Sequence, residues 1–428
     1  MIRRTPFLLI FLTLTSCGTD NQNPAGTKVT VSGAVQDQLA TFIEQARTSE
    51  ARGELARSLR DWQLVRDLVE HRFGVESWQS TNARLASENV EWRISLNQQQ
   101  QTLLHKIQQL EAAARDPFQP RAAADLWRQT RLLAEQLWGT NALATAVYLE
   151  YEAAAEHDVG QFSAAAELYG TALRIRKRVV GQEHPDYCST LGALAQVHLD
   201  GGEYDTAKQY LEEATRLHRS IWGGGHHRYA AHLNQLGIVH HRMGDTTKAE
   251  LMLRDAFRIL DQHPEDVHSL LADTAYNLGA VYFARNDLPR AIEHYQVALQ
   301  SYEASMGRAD RRSLRVMDSL AATYLTQEDH RAAEIMLQEV AVIRAQDLGE
   351  KHPDTVRTLF RLAVALGNQG NYKAAEPILQ KVLQTQQSDL TTDPSQLRKT
   401  IETYVVLLQK TGRPEDANVL VSRARSLE

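Results

Sequence analysis

The chain has 428 residues, 43% of them apolar and 23% charged, and a net charge of −6. Lysine and arginine form no long block, which argues against nucleic acid as a partner. Two cysteines are too few for a disulfide framework, and glycine and proline are ordinary in number.

At the N-terminus, Arg3 and Arg4 precede the apolar run Pro6-Phe7-Leu8-Leu9-Ile10-Phe11-Leu12 and then Leu14-Thr15-Ser16-Cys17. A basic start followed by a short apolar core reads as a secretion signal, too short to span a bilayer. The Leu14 to Cys17 ending resembles a bacterial lipobox. That resemblance implies that residues 1–16 are removed and that Cys17 becomes the lipid-attached first residue. Gly18 follows, not aspartate, so the inner-membrane retention cue is missing. In a two-membrane source the expected location is therefore the outer membrane, facing the periplasm. Residues 17–32 are polar with turn formers and read as a flexible tether reaching roughly 20 Å. With Cys17 acylated, Cys188 has no partner within the chain and reads as a small buried side chain.

Residues 33–116 read as a helical N-terminal segment. Val35, Leu39, Phe42, Ile43 and Ala46 fall at helical spacing, as do Leu55, Leu59, Trp62, Val65 and Val69. A third pattern from about Thr81 to Arg115 holds no glycine or proline and predicts one long helix. It would either cap the C-terminal part of the chain or form a coiled-coil arm, although sustained heptads are not evident. Phe73-Gly74-Val75-Glu76-Ser77-Trp78 echoes a turn that recurs later, and Pro117 and Pro120 bracket a break.

From there the chain repeats every 42 residues. Turn positions fall at Gly160, Gly202, Gly244, Asn286, Glu328, Gly370 and Gly412, and an alanine stands five residues after each, from Ala165 to Ala417. A second series, Gly139, Gly181, Gly223, Gly307 and Gly349, keeps the register and fails at Glu265 and Thr391. Seven residues before each turn the side chain is small, with Val405 the exception, and nine after it stands a bulky one, from Tyr169 to Val421. A small residue on each helix lets the two axes approach, and glycine suits the left-handed conformation that ends a helix. His184-Pro185-Asp186 and His352-Pro353-Asp354 mark helix starts, where proline fixes φ and the carboxylate meets the positive end of the dipole. A fixed period of this kind predicts an all-α solenoid of stacked helix pairs, residues 117–428, with a half-repeat and seven full repeats.

The small, small and bulky positions resemble the tetratricopeptide repeat, and the Leu348-Gly349-Glu350-Lys351-His352-Pro353-Asp354-Thr355 junction resembles its kinesin-light-chain type. The departures are Asn286 and Glu328 at turns, and Val340 and Val382 where a small residue is usual. The resemblance implies an α-α superhelix whose first helices line a groove that binds a peptide or protein. Carried over to this chain, one groove row is Ser189, Ala231, Asp273, Arg315, Arg357 and Lys399, and another is Ala193, Gln235, Asn277, Ser319, Arg361 and Thr403. Arg315, Arg357, Arg361 and Lys399 would read an acidic segment or a free C-terminus, with Asn234, Gln235 and Asn277 pairing with a peptide backbone. The same residues would also serve as a plain solvated helix face.

His218, His226, His227, His232, His240 and His241 cluster in sequence, but metal binding requires convergence on one point, and no metal or other cofactor is expected. The Gly223-Gly224-Gly225 run lacks the Lys-Ser/Thr of a phosphate loop, and no catalytic motif appears. The sequence thus predicts an exported, lipid-anchored binding scaffold without catalysis. Self-assembly through the N-terminal helices is the alternative, and a carbohydrate-binding or enzymatic use of the frame would need acids or aromatics converging on the groove.

Overall fold

A computed structural model describes residues 33–115, 120–262, 264–388 and 393–425. The expected secretion signal, Cys17 and the expected tether lie outside the described residues. Among the described residues there are nineteen helices and no strand. They fall into two compact units, residues 1–245 and 246–428.

Unit 1 begins with α1 (Gly33–Ala51), α2 (Leu55–Phe73) and α3 (Trp78–Ser95), which share a core of Ile43, Ala46, Trp62, Val65, Val69, Ala83, Ala86 and Val90. Then come α4 (Gln98–Ala114), α5 (Pro120–Trp138), α6 (Leu143–Asp158), α7 (Phe162–Val179), α8 (Pro185–Asp200), α9 (Tyr204–Trp222) and α10 (His227–Arg242). Each packs on the next. The single helix expected over 81–115 is two helices. Asn97 accepts the Gln100 N–H at 2.9 Å, and the Gln100 side chain accepts the Asn97 N–H at 3.1 Å. That capping box starts a new helix without any glycine or proline. Ile107 and Ala114 of α4 join Ala124, Trp127 and Tyr148 in one core, so α4 pairs with α5 and covers the front of the repeats.

Unit 2 holds α11 (Thr246–Asp261), α12 (Pro264–Ala284), α13 (Leu288–Met306), α14 (Arg311–Thr326), α15 (His330–Asp347), α16 (Pro353–Asn368), α17 (Tyr372–Ser388), α18 (Pro394–Lys410) and α19 (Pro414–Arg425), each packed on the next. Its core has two parts, one around Leu253, Leu278, Tyr302 and Met317, the other around Leu337, Leu366, Leu379 and Leu408.

The sequence register explains both units. All seven alanines after the turns, Ala165 to Ala417, are 0–1% exposed. At Gly279 an added Cβ would stand 2.6 Å from the ring of Tyr295, the bulky residue of the same repeat. Small and large positions therefore meet face to face. Each turn closes with the bond that ends a helix in a left-handed residue: Asn371 N–H to Leu366 carbonyl at 2.9 Å, and the same pairing from Gln161, Glu203, Asp245, Asp287, Asp329 and Arg413. Asn286 and Glu328 adopt the glycine conformation, with φ of 60° and 65°. The exceptions in sequence keep the geometry and take on its strain.

Junctions between repeats follow a second rule. Thr145, Ser313 and Thr355 each donate to the carbonyl of the glycine six residues earlier, at 2.7–2.9 Å. Ser80 donates to the Gly74 carbonyl in the same way at 2.7 Å, so the echo around Gly74 is a true junction of this type.

Candidate partner-binding face

Five of the first helices start from a side-chain cap, whereas α6 starts at Ala142 without one. His184, His226 and His352 accept through Nδ1 the N–H two residues on, at 3.1–3.2 Å, and Asp310 and Asp393 do the same through a carboxylate. The recurring histidine is thus an N-cap, a role the sequence reading assigned only to the proline and aspartate that follow it.

Between each pair and the next, the position sixteen residues after the turn carries a buried side chain. In unit 1 it is Arg176, which donates two bonds to Glu150 at 2.7 Å and pairs with Asp186 at 2.9 Å. In unit 2 it is Arg344, which pairs with Asp318 at 2.6 Å and donates to Thr358 at 2.6 Å. Both acids stand ten residues before their turn. Sequence reading missed this pair, although an arginine and an acid recurring in register at otherwise apolar positions were its signal.

In unit 2 these contacts set the face of the first helices. Arg315 of α14 is exposed, its guanidinium centre 4.5 Å from the ring centroid of Tyr276 on α12, an arrangement that holds the charge in place by cation–π attraction. Arg312 donates to Ser269 at 2.7 Å, and Tyr302 donates to Asp273. Arg361 of α16 lies 3.9 Å from Asp318, but Asp318 is already committed to Arg344. Arg357, half-exposed, pairs with Asp354 one turn back at 2.6 Å. Lys399 on α18 is exposed, and Asn277 on α12 is half-buried. Ion pairs this open to water contribute about 0–1 kcal/mol, so an incoming carboxylate can replace them at little cost. The face is cationic and exchangeable.

In unit 1 the corresponding face is occupied by its own bonds. Gln235 donates to Gln196 at 3.0 Å, Gln196 to Asp200 at 2.8 Å, and Asp200 meets His157 at 2.9 Å. Gln235 Oε1 also lies 3.1 Å from His232 Nδ1. Asn234 is 6% exposed and faces between helices, which removes it from any surface a peptide could touch. One residue along a helix is a rotation of about 100°, enough to turn a groove position into a core one.

The histidines do not converge. His218 stacks on Trp222 and on His232, with ring centroids 4.8 and 4.4 Å apart, and His226 stacks on Trp222 at 5.0 Å. Among the described residues no group of three or more candidate ligands is placed to hold a metal ion. Burial pushes the Cys188 thiol up to about 12, which leaves it a packing residue.

Models of known families described as "Tetratricopeptide repeat" match residues 144–220, 186–262 and 270–344, and a second such model matches 355–388. Together the matches cover more than half of the chain. No curated protein sequence matches. Among solved structures, a signal-transduction ATPase of Pyrococcus horikoshii with a tetratricopeptide repeat sensor is similar over 99% of this chain and 58% of its own, at 13% identity and a TM-score of 0.58. A Rap protein complexed with competence and sporulation factor is similar over 88% of this chain and 98% of its own, at 14% identity and 0.51. A putative kinesin light chain of Podosopora anserina covers 49% and 99%, at 21% identity and 0.44. The likeness to the ATPase and to the Rap protein, at these identities, speaks to the fold alone.

Proposed function

Because the chain belongs to the tetratricopeptide repeat family, we propose that it is a binding scaffold that holds an acidic protein segment or a free C-terminus against the first helices of unit 2. The observation that carries this is the row of exposed Arg315, Arg357 and Lys399 with half-buried Arg361, whose own ion pairs are weak or absorbed elsewhere. Guanidinium groups bind carboxylates through two parallel hydrogen bonds, so a backbone carboxylate or an Asp/Glu side chain fits this row. The Rap structure holds competence and sporulation factor on a frame of similar fold, which supports partner binding as the use of this one. The reading assigns no chemistry to the chain.

The anchored location belongs to the same reading. A lipid on Cys17 and a tether to residue 32 would hold the repeats at a membrane surface within reach of a bound partner. Labelling with a radioactive fatty acid should mark the wild-type chain and not Cys17→Ala; equal or absent labelling of both would remove the anchor. For the partner, selection from a random peptide display library on the full chain should enrich Asp- and Glu-rich or C-terminal sequences. The doubly reversed Arg315→Glu, Arg361→Glu chain should lose that enrichment. Selection without charge bias would overturn the reading.

A further inference from the structure

Helices α1–α3 share a core of their own, against which Leu143 of α6 also packs. Side chains make the junction. Asn82 of α3, fully buried, accepts through Oδ1 from His184 Nε2 at 2.9 Å. Trp78, at the start of α3, stands edge-on to His184 and to Trp222, with centroids 6.4 and 6.2 Å apart. Trp92 meets Trp138 at 5.3 Å.

His184 performs two tasks that depend on one protonation state. Its Nδ1 accepts the Asp186 N–H, and a backbone N–H only donates, so the single ring proton sits on Nε2 and goes to Asn82. A second proton would have to enter at Nδ1, against that N–H, and the cap of α8 would be lost. The surroundings offer little relief. From α7 comes Arg176, and from α8 Asp186, 3.9 Å away and held by Arg176 at 2.9 Å. Further off, stacked on Trp222, stands His218 of α9. From α10 come His226, His227, His232 and Arg228, whose guanidinium lies 5.3 Å over Trp222. From α3 come only the neutral Asn82 and Trp78. His218, 1% exposed, has no hydrogen-bond partner at either ring nitrogen. Burial holds His184 and His226 down at about 4 and His218 at about 2.

We propose that His184, with His218 and His226 in the stack behind it, is an acid-sensitive latch: neutral rings hold α1–α3 on the repeats, and protonation lets them go. A released histidine regains its ordinary pKa of 6.5, so each one that titrates favours release by up to about tenfold per pH unit below that value. The titration extends down to the docked value near 4 for His184 and His226.

The test is fluorescence transfer in the full chain between labels at Arg60→Cys on α2 and Gln209→Cys on α9, in a Cys17→Ser, Cys188→Ala background. Transfer should fall on acidification below pH 6.5 while helical circular dichroism is retained. Asn82→Asp places a carboxylate against the imidazolium and should lower the release midpoint by about one pH unit or more, a shift that a merely structural contact would not give. His184→Asn, which keeps a capping side chain but cannot titrate, should release with a shallower dependence on pH, because only His218 and His226 then contribute. Transfer that persists until the whole chain unfolds would overturn the latch. So would a midpoint that Asn82→Asp leaves unmoved or raises.

Discussion

Units 1 and 2 are built from the same helix pair and use its surface in opposite ways. In unit 1 the first helices bond to one another through Gln196, Gln235 and Asp200, and helix α3 reaches across to His184 and Trp222. In unit 2 the first helices carry Arg315, Arg357, Arg361 and Lys399, open to solvent or only half-covered; Arg361 stands at the register position of Gln235, and the other three stand where unit 1 has Ser189 and Ala231. The small and bulky residues that build the pair are common to both, so fold and use are encoded at separate positions. A repeat can be told by its alanines and its task by its first-helix face.

Six substitutions would break or sharpen that contrast. The largest effect is expected at Asp318, whose removal strands Arg344 with no other carboxylate. Asp318→Ala should cost about 3–5 kcal/mol in urea unfolding. Glu150→Ala should cost less, because Arg176 keeps Asp186.

Next comes Glu111, buried at the small position of the α4 and α5 pair, accepting from Tyr148 at 2.6 Å and raised to about 7 by burial. A carboxyl raised on folding lends stability below its unfolded pKa of 4.5 and loses it as pH rises through 7. The buried histidines His184, His226 and His232 act in the other direction, losing stability as pH falls from 6.5 toward 4, so the variant must be compared with wild type at each pH. Glu111→Gln should therefore gain about 3 kcal/mol on wild type between pH 4.5 and pH 8. A constant difference across that range would refute the assignment.

Gly279→Ala should cost about 1–3 kcal/mol, since its Cβ meets the Tyr295 ring at 2.6 Å. In unit 1 the matching positions are Ala153, Ala195 and Gly237, so two of the three already hold a methyl group, both fully buried. The smallest effect is a gain. Glu328→Gly should add about 0.5–1 kcal/mol in thermal unfolding, because only the left-handed backbone at φ 65° is relieved there, and Asn286→Gly should add less.

Most of the fold was legible because it rests on side-chain size at fixed spacing, which a linear sequence displays directly. The alanine row, the turns and the Gly74 junction all follow from it. The break between α3 and α4 was harder to see, because it is made by Asn97 and Gln100 and not by a helix breaker. Which first-helix positions reach solvent was legible only in part: Arg315 is exposed and Arg361 half-buried beside Asp318, whereas Asn234 turns inward and Gln235 is bonded within its own unit. The buried Arg176 and Arg344 pairs, and histidine as a helix cap, depend on contacts between helices that periodicity alone does not reveal.

The most direct measurement is calorimetric titration of an acidic peptide taken from the display selection into three proteins. These are the wild-type chain, Arg315→Glu with Arg361→Glu, and Gln235→Glu as the unit 1 control. Binding through the unit 2 face predicts at least a tenfold loss for the double reversal, about 1.4 kcal/mol or more, and a change within about twofold for the control. Equal affinity for wild type and the double reversal, or a larger loss at Gln235, would contradict the account.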